Sequence, residues 1–286
     1  VYLNYLAQVF NLPDDDYVKT RLEFGSDSAD RDSTLDVYVN DVLVAQQTHL
    51  RSLPWNETLE SSFDLGEGRK RVVVFLPHLL VFALGDIVLP EGNFYLAPVP
   101  KRTARVLMIG DSITQGVGAE CSSTGYAMQV GRALGCECLN QSVAAVRFEP
   151  ECLDNTGFSP DLITVALGTN DWSHRADSAE YDDYAGRFFK RINQLYPDIP
   201  VAVITPVKRV RNEPDQHPDR PNLYRESELA DAIARLCQPY PQMRIVEGWR
   251  LVPHVPAFFL DGLHPNDLGM TWMANGVLQA LADMMR

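Results

Sequence analysis

From residue 105 onward, short apolar runs alternate with segments of helical pattern. The runs are 106–109, about 138–140, 162–167, 201–205 and 244–246. The helical segments are 126–134, 179–195, 226–237 and 267–284. An apolar run without polar alternation suits a strand buried on both faces, as in a parallel sheet covered by helices. The alternation therefore predicts an α/β domain with a parallel sheet, and ligands of such a sheet gather beyond the carboxyl ends of its strands.

Before residue 100 the pattern changes. Residues 35–39 alternate apolar and polar positions, as a half-buried strand does. Asn40 and Asp41 follow, two residue types that tolerate the left-handed conformation of a tight hairpin, and 42–44 resume an apolar run. Gly66-Glu67-Gly68 marks a second turn before 71–76, and Asp and Ser crowd 26–33 as in a loop. Short strands with turn signals and no long helical pattern predict an all-β sandwich of jelly-roll type over residues 1–100. Pro98, Pro100, Lys101 and Arg102 suit a connector to a second domain over 101–286.

A formal net charge of −13 argues against a nucleic-acid partner, because phosphate binding needs clustered Lys and Arg. No apolar run approaches the ~20 residues that span a bilayer, so no membrane partner is expected. The longest, 72–84, is broken by Pro77 and His78. The first residues show no basic stretch followed by an apolar core, so no signal peptide and a cytoplasmic location are expected. The 5 cysteines are odd in number and irregular in spacing, and Cys136-Glu-Cys138 is too short for a usual zinc pair. They suit small buried hydrophobes in a reducing compartment. No metal-ligand cluster stands out. His49, His78, His174, His217 and His254 suit surface or packing positions.

Three motifs carry chemistry. Gly110-Asp111-Ser112-Ile113-Thr114 follows the first apolar run of the α/β region and precedes the Gly-rich 115–118. A serine there can expose its hydroxyl at the sheet edge, beside the unpaired N–H groups of a helix start. By itself the motif serves equally well as a helix cap. Asp261-Gly-Leu-His264-Pro265-Asn266 offers a base for that hydroxyl in His264 and an orienting acid in Asp261, both from one short loop. Alone it could simply begin the last helix. Gly168-Thr-Asn170-Asp171 ends the 162–167 run, where the Asn170 amide could donate to a developing oxyanion or close an Asx turn.

Taken together, the order and context of these motifs resemble the SGNH hydrolase superfamily, also called GDSL esterases, over roughly residues 104–286. The resemblance implies a three-layer, flavodoxin-like fold. It also implies an acyl transfer from ester to water with Ser112 as nucleophile, His264 as base and then acid, and Asp261 as the residue that orients His264. The family's remaining block is Asn-x-Gly-x-x-Gly. Here it reads Asn140-Gln-Ser142-Val-Ala-Ala145, with both glycines replaced. The oxyanion hole implied is the N–H of Ser112, the N–H of Ser142 and the side chain of Asn170. No metal or organic cofactor is implied. Asp111, Trp172, Lys208 and Arg209 are the candidate substrate contacts.

Some members of this superfamily carry a β-sandwich before the catalytic domain, and many of those resemble carbohydrate esterases that remove acetyl groups. The segments 33–38 and 71–77 are similar to the amino-terminal module of one such group. The resemblance implies an acylated sugar or similar polar alcohol as substrate. A related branch of acyltransferases, and a carbohydrate-binding protein on an inactive hydrolase, are the alternatives. The Pro-rich, charged segment 207–222 is longer than the ~2–6 residues usual between strand and helix. It is expected to run over the surface at the carboxyl edge of the sheet and to form one wall of the acyl or alcohol pocket.

Overall fold

The computed structural model describes residues 34–48, 62, 70–79, 104–153, 157–211, 214–282 and 284. The expected loop at 26–33, the turn at 66–68, the connector at 98–102 and His49 lie outside them. The chain divides into two compact units. One holds the described residues before 102 together with Glu120–Ser123, and the other holds Arg102–Ala119 and Thr124–Arg286.

In the first unit, β1 (Leu35–Val39) pairs antiparallel with both β2 (Val42–Gln47) and β3 (Val72–Phe75). Asn40 and Asp41 turn between β1 and β2 at φ 49° and 68°, the left-handed pair that matches the twist of a hairpin. Val37, Val39 and Val72 form a small core. These strands make one antiparallel sheet, and a second sheet of the expected jelly roll would fall outside the described residues. Asp36 is fully buried in this unit. Its carboxylate accepts from the Thr34 hydroxyl at 2.8 Å, the Gln46 amide at 3.0 Å and the Ser123 N–H at 3.0 Å. The Ser122 N–H donates to the Thr34 hydroxyl at 3.1 Å. These bonds hold Glu120–Ser123 in the first unit, although the segments on either side of it belong to the second.

The second unit is a five-stranded parallel sheet flanked by helices. Its strands are β4 (Arg105–Gly110), β5 (Glu137–Asn140), β6 (Leu162–Ala166), β7 (Val201–Ile204) and β8 (Met243–Val246). Their spatial order is β5-β4-β6-β7-β8, the doubly wound order of flavodoxin-like folds. Alternate residues feed two cores. Val106, Met108 and Ile204 join one core with Tyr126, Met270, Met273 and Val277. Leu107, Ile109, Ile163 and Val203 join the other with Tyr181, Phe188, Phe189 and Ile233. The helices of the first core are α2 (Tyr126–Leu134) and α6 (Asp267–Ala282), and those of the second are α4 (Ser178–Leu195) and α5 (Leu229–Cys237). Two shorter helices, α1 (Ser112–Gln115) and α3 (Thr169–His174), start at the carboxyl ends of β4 and β6.

Cys136 and Cys237 are buried as expected, but Cys152 is exposed, and none of the five cysteines is joined in a disulfide. Among the described residues, no helix is long and apolar enough to cross a membrane.

Candidate active site

The site grows from the point where the chain leaves β4 and returns on its other side. β5 and β6 flank β4, with Met108 paired to Asn140 and Gly110 paired to Ala166. The residues that follow these three strands therefore meet at one edge, the position where doubly wound sheets bind ligands. Asp111 follows β4 and caps α1, its Oδ1 accepting the Ile113 N–H at 3.0 Å. Ser112 is the first residue of α1, and its own N–H has no hydrogen-bond partner among the described residues.

Ser112 Oγ lies 2.9 Å from His264 Nε2. His264 Nδ1 lies 2.8 Å from Asp261 Oδ2. Asp261 Oδ1 accepts the N–H groups of Leu263 at 2.9 Å and His264 at 2.8 Å. Burial alone would raise the Asp261 pKa, but the His264 ring and these amides outweigh it and hold the carboxyl well below the usual carboxylate range. The turn carrying both side chains is closed by the Phe259–Pro265 bridge and by the Leu260 N–H donating to the His264 carbonyl at 2.8 Å. It approaches the segment after α1 at Gly118, whose φ is +103°. A Cβ there would stand 2.3 Å from the Pro265 carbonyl and 3.1 Å from His264 Cβ, so the Gly-rich 115–118 gives the His264 turn its room.

Asn170 lies in α3, not in an isolated Asx turn. Its Nδ2 donates to the Val146 carbonyl at 3.0 Å, with Asp111 Oδ2 at 3.5 Å. Asp171 and Arg175, which the sequence did not single out, fix the same corner. Asp171 is fully buried, accepts the Phe148 N–H at 3.2 Å and pairs with Arg175 Nε at 3.1 Å. Burial pushes the Asp171 carboxyl up to about 6 against the pull of Arg175. The sequence reading of Asn170-Asp171, an oxyanion donor or an Asx turn, gives no sign of this Arg175 partner.

Ser142 requires a correction. Its N–H donates to Asn140 Oδ1 at 3.1 Å, and its hydroxyl bonds the same oxygen, so this amide is already engaged. Ala145, at the second glycine position of the block, has φ +64°. Its N–H has no hydrogen-bond partner among the described residues. The turn holding it is fixed by Val143 N–H on the Gly110 carbonyl at 3.1 Å and by Ala144 N–H on Gln115 Oε1 at 2.8 Å. A left-handed alanine costs roughly 1–2 kcal/mol, partly offset by the entropy a glycine loses on folding. Ala145→Gly is therefore expected to raise the melting temperature by about 1–2 °C with activity retained. A thermal melt checks it, and a lower midpoint would count against the strain.

Three of the four candidate substrate contacts have other work. Asp111 is buried as a cap, and burial pushes its carboxyl up to about 6 against the Ile113 amide and the charges of His264 and Arg209. Trp172 is 3% exposed and donates its indole N–H to the Tyr224 carbonyl at 2.9 Å. Arg209 is 9% exposed and donates to the Thr169 carbonyl and the Ser173 hydroxyl. Lys208 Nζ sits 4.7 Å from the centre of the Trp249 ring. A cleft of about 330 Å³ is lined by Trp172, Ser173, Arg211, Pro214, His217 and Pro218, among others. The segment 207–222 lines part of this cleft, and Ser112, Asp261 and His264 are not among its lining residues. The segment contains no strand or helix among the described residues, yet Val207 and Arg209 are buried where a surface course was expected.

A model of the GDSL-like lipase/acylhydrolase family matches residues 108–272, from β4 into α6. No curated protein matches the chain. A salicylyl-acyltransferase from a tetracycline biosynthetic pathway has a similar structure, with TM-score 0.69 at 19% identity over 90% of this chain and 75% of that one. A family 2 carbohydrate esterase with a carbohydrate-binding domain from Corynascus thermopiles (Myceliophthora fergusii) gives 0.67 at 19% identity over 89% and 87%. A family 2 carbohydrate esterase from Clostridium thermocellum, in complex with cellohexaose, gives 0.66 at 16% identity over 89% and 86%. The family match spans more than half of the residues, and the chain belongs to the GDSL-like lipase/acylhydrolase family as a carboxylic ester hydrolase.

Proposed function

We propose that the protein is a serine esterase that removes short acyl groups, acetyl foremost, from a carbohydrate or similar polar alcohol. The observation that carries this is the chain of Ser112 Oγ, His264 and Asp261 at 2.9 and 2.8 Å. Ser112 Oγ attacks the ester carbonyl carbon as its proton passes to His264 Nε2. The tetrahedral intermediate collapses, the alcohol leaves with that proton, and an acyl-serine remains. Water gives a proton to His264, attacks the acyl carbon and releases the acid and the free serine. The oxyanion would be met by the N–H of Ser112, the side chain of Asn170 and the N–H of Ala145 in place of Ser142.

The cleft supports a polar alcohol, because Arg209, Arg211, His217 and Asp219 line it beside Trp172 and two prolines, and Arg211 also reaches Asp261. The likeness to two family 2 carbohydrate esterases points the same way. The second reading is transfer to an alcohol acceptor in place of water, and the acyltransferase neighbour favours it.

The test is a chain-length series of nitrophenyl esters and a panel of acetylated sugars, each with and without added alcohol. Acetyl esters should lead the series and acetylated sugars should be cleaved. A preference for long acyl chains would overturn the acetyl assignment, and an acylated alcohol accumulating at the expense of free acid would favour the transferase.

A further inference from the structure

Residues 209–211 touch two separate parts of the site. Arg209 Nη2 donates to the Thr169 carbonyl at 2.8 Å and to the Ser173 hydroxyl at 2.7 Å, one residue before Asn170 and three after it. Its guanidinium also lies 4.6 Å from the centre of the Trp172 ring on the same helix. One residue on, the Val210 N–H donates to the Gly262 carbonyl at 2.8 Å. Arg211 Nε then donates to the Asp261 carbonyl at 3.0 Å, and Arg211 Nη2 to Asp261 Oδ2 at 3.3 Å. Asp261 Oδ2 is the oxygen that faces His264 Nδ1.

The approach is close enough to exclude a side chain at the turn. Gly262 has φ +81°, and a Cβ on it would lie 2.7 Å from Arg211 Cγ and 3.3 Å from Arg211 N. Each Asp261 oxygen thus has two neighbours: Oδ1 the amides of Leu263 and His264, Oδ2 the ring of His264 and the fork of Arg211. A carboxylate held on both oxygens cannot swing away from the imidazole.

We propose that residues 209–211 are a brace for the active site, with Arg211 a positioning residue for Asp261 and Arg209 one for the helix that carries Asn170. The brace rests on the esterase mechanism above, because holding Asp261 and Asn170 matters only if they serve His264 and the oxyanion. The planar guanidinium spans the carbonyl and the carboxylate of one residue together, a geometry that a lysine ammonium does not reproduce.

The experiment measures kcat and KM for a fluorogenic acetate ester in wild type, Arg211→Ala, Arg211→Lys, Asp261→Asn, the Arg211→Ala/Asp261→Asn double variant and Ser112→Ala. Arg211→Ala should lower kcat about tenfold, the loss expected for one charge-assisted hydrogen bond, with KM within about twofold. Arg211→Lys should recover part of it. In the Asp261→Asn background, removing Arg211 should change kcat by less than about twofold, because the carboxylate it positions is gone. An undiminished kcat, a loss confined to KM or a fully additive loss in the double variant would overturn the brace. If Arg211→Ala does not fold, Arg211→Lys and Arg211→Gln carry the same comparison. Turnover that survives Ser112→Ala overturns the esterase mechanism itself. Its loss alongside an undiminished Arg211→Ala kcat overturns the brace alone.

Discussion

Ser112→Ala should reduce turnover of a nitrophenyl acetate by about a million-fold, since residues that act as one catalytic unit fail together. The structure gives a reason to expect an intact fold. The hydroxyl bonds His264, while the start of α1 is capped by Asp111, which the substitution leaves alone. The variant should therefore melt within a few degrees of wild type, because it removes one hydroxyl and leaves the helix cap in place. It should also lose its reaction with an organophosphate. Retention of most activity would show that another group attacks the ester.

His264→Ala should be about as damaging as Ser112→Ala, and Asp261→Asn less so, by about 10⁴-fold or below. The base moves the proton, whereas the acid orients the base and offsets its charge. Wild-type rates in Asp261→Asn at neutral pH would place the orienting acid elsewhere. Acidification adds a check with a definite sign. Asp261 has a folded pKa below its unfolded value of 3.8, so its carboxylate stabilises the fold above that value and the benefit fades as pH falls below it. The melting deficit of Asp261→Asn should thus be present near pH 7 and shrink near pH 3. A deficit that grows on acidification would contradict the assignment.

The elements that pack by local pattern were legible in the sequence. β4, β6 and β7 are apolar runs because both faces of the parallel sheet are covered, and α4 shows its buried face as Tyr181, Ala185, Phe188 and Ile192. Ser112, Asp261 and His264, which the structure brings within hydrogen-bond distance, are legible because each stands in a motif at the end of a strand or in a short loop. What escaped depends on partners distant in sequence. Arg211 meets Asp261 across 50 residues, and Arg175 serves Phe148 across 27. The sequence points to the Ser142 amide alone, because it does not reveal that Asn140 takes this amide or that Ala145 adopts a positive φ. Asn170-Asp171 favours turns locally, and here the burial of Asp171 against Arg175 turns that preference into a helix.

The course of Glu120–Ser123 bears on how the protein could be divided. Because this segment leaves the hydrolase unit and comes back to it, the chain passes between the two units three times, near residues 101, 119 and 123. One cut after residue 101 therefore severs only one of three covalent links. Removal of residues 1–101 would also strip the Ser122 and Ser123 amides of the Thr34 and Asp36 acceptors that now satisfy them. The amino-terminal sheet is thus not a detachable cassette. A loop that begins a few residues after the nucleophile is stitched into it, so exchange or truncation of that sheet would have to rebuild the loop as well.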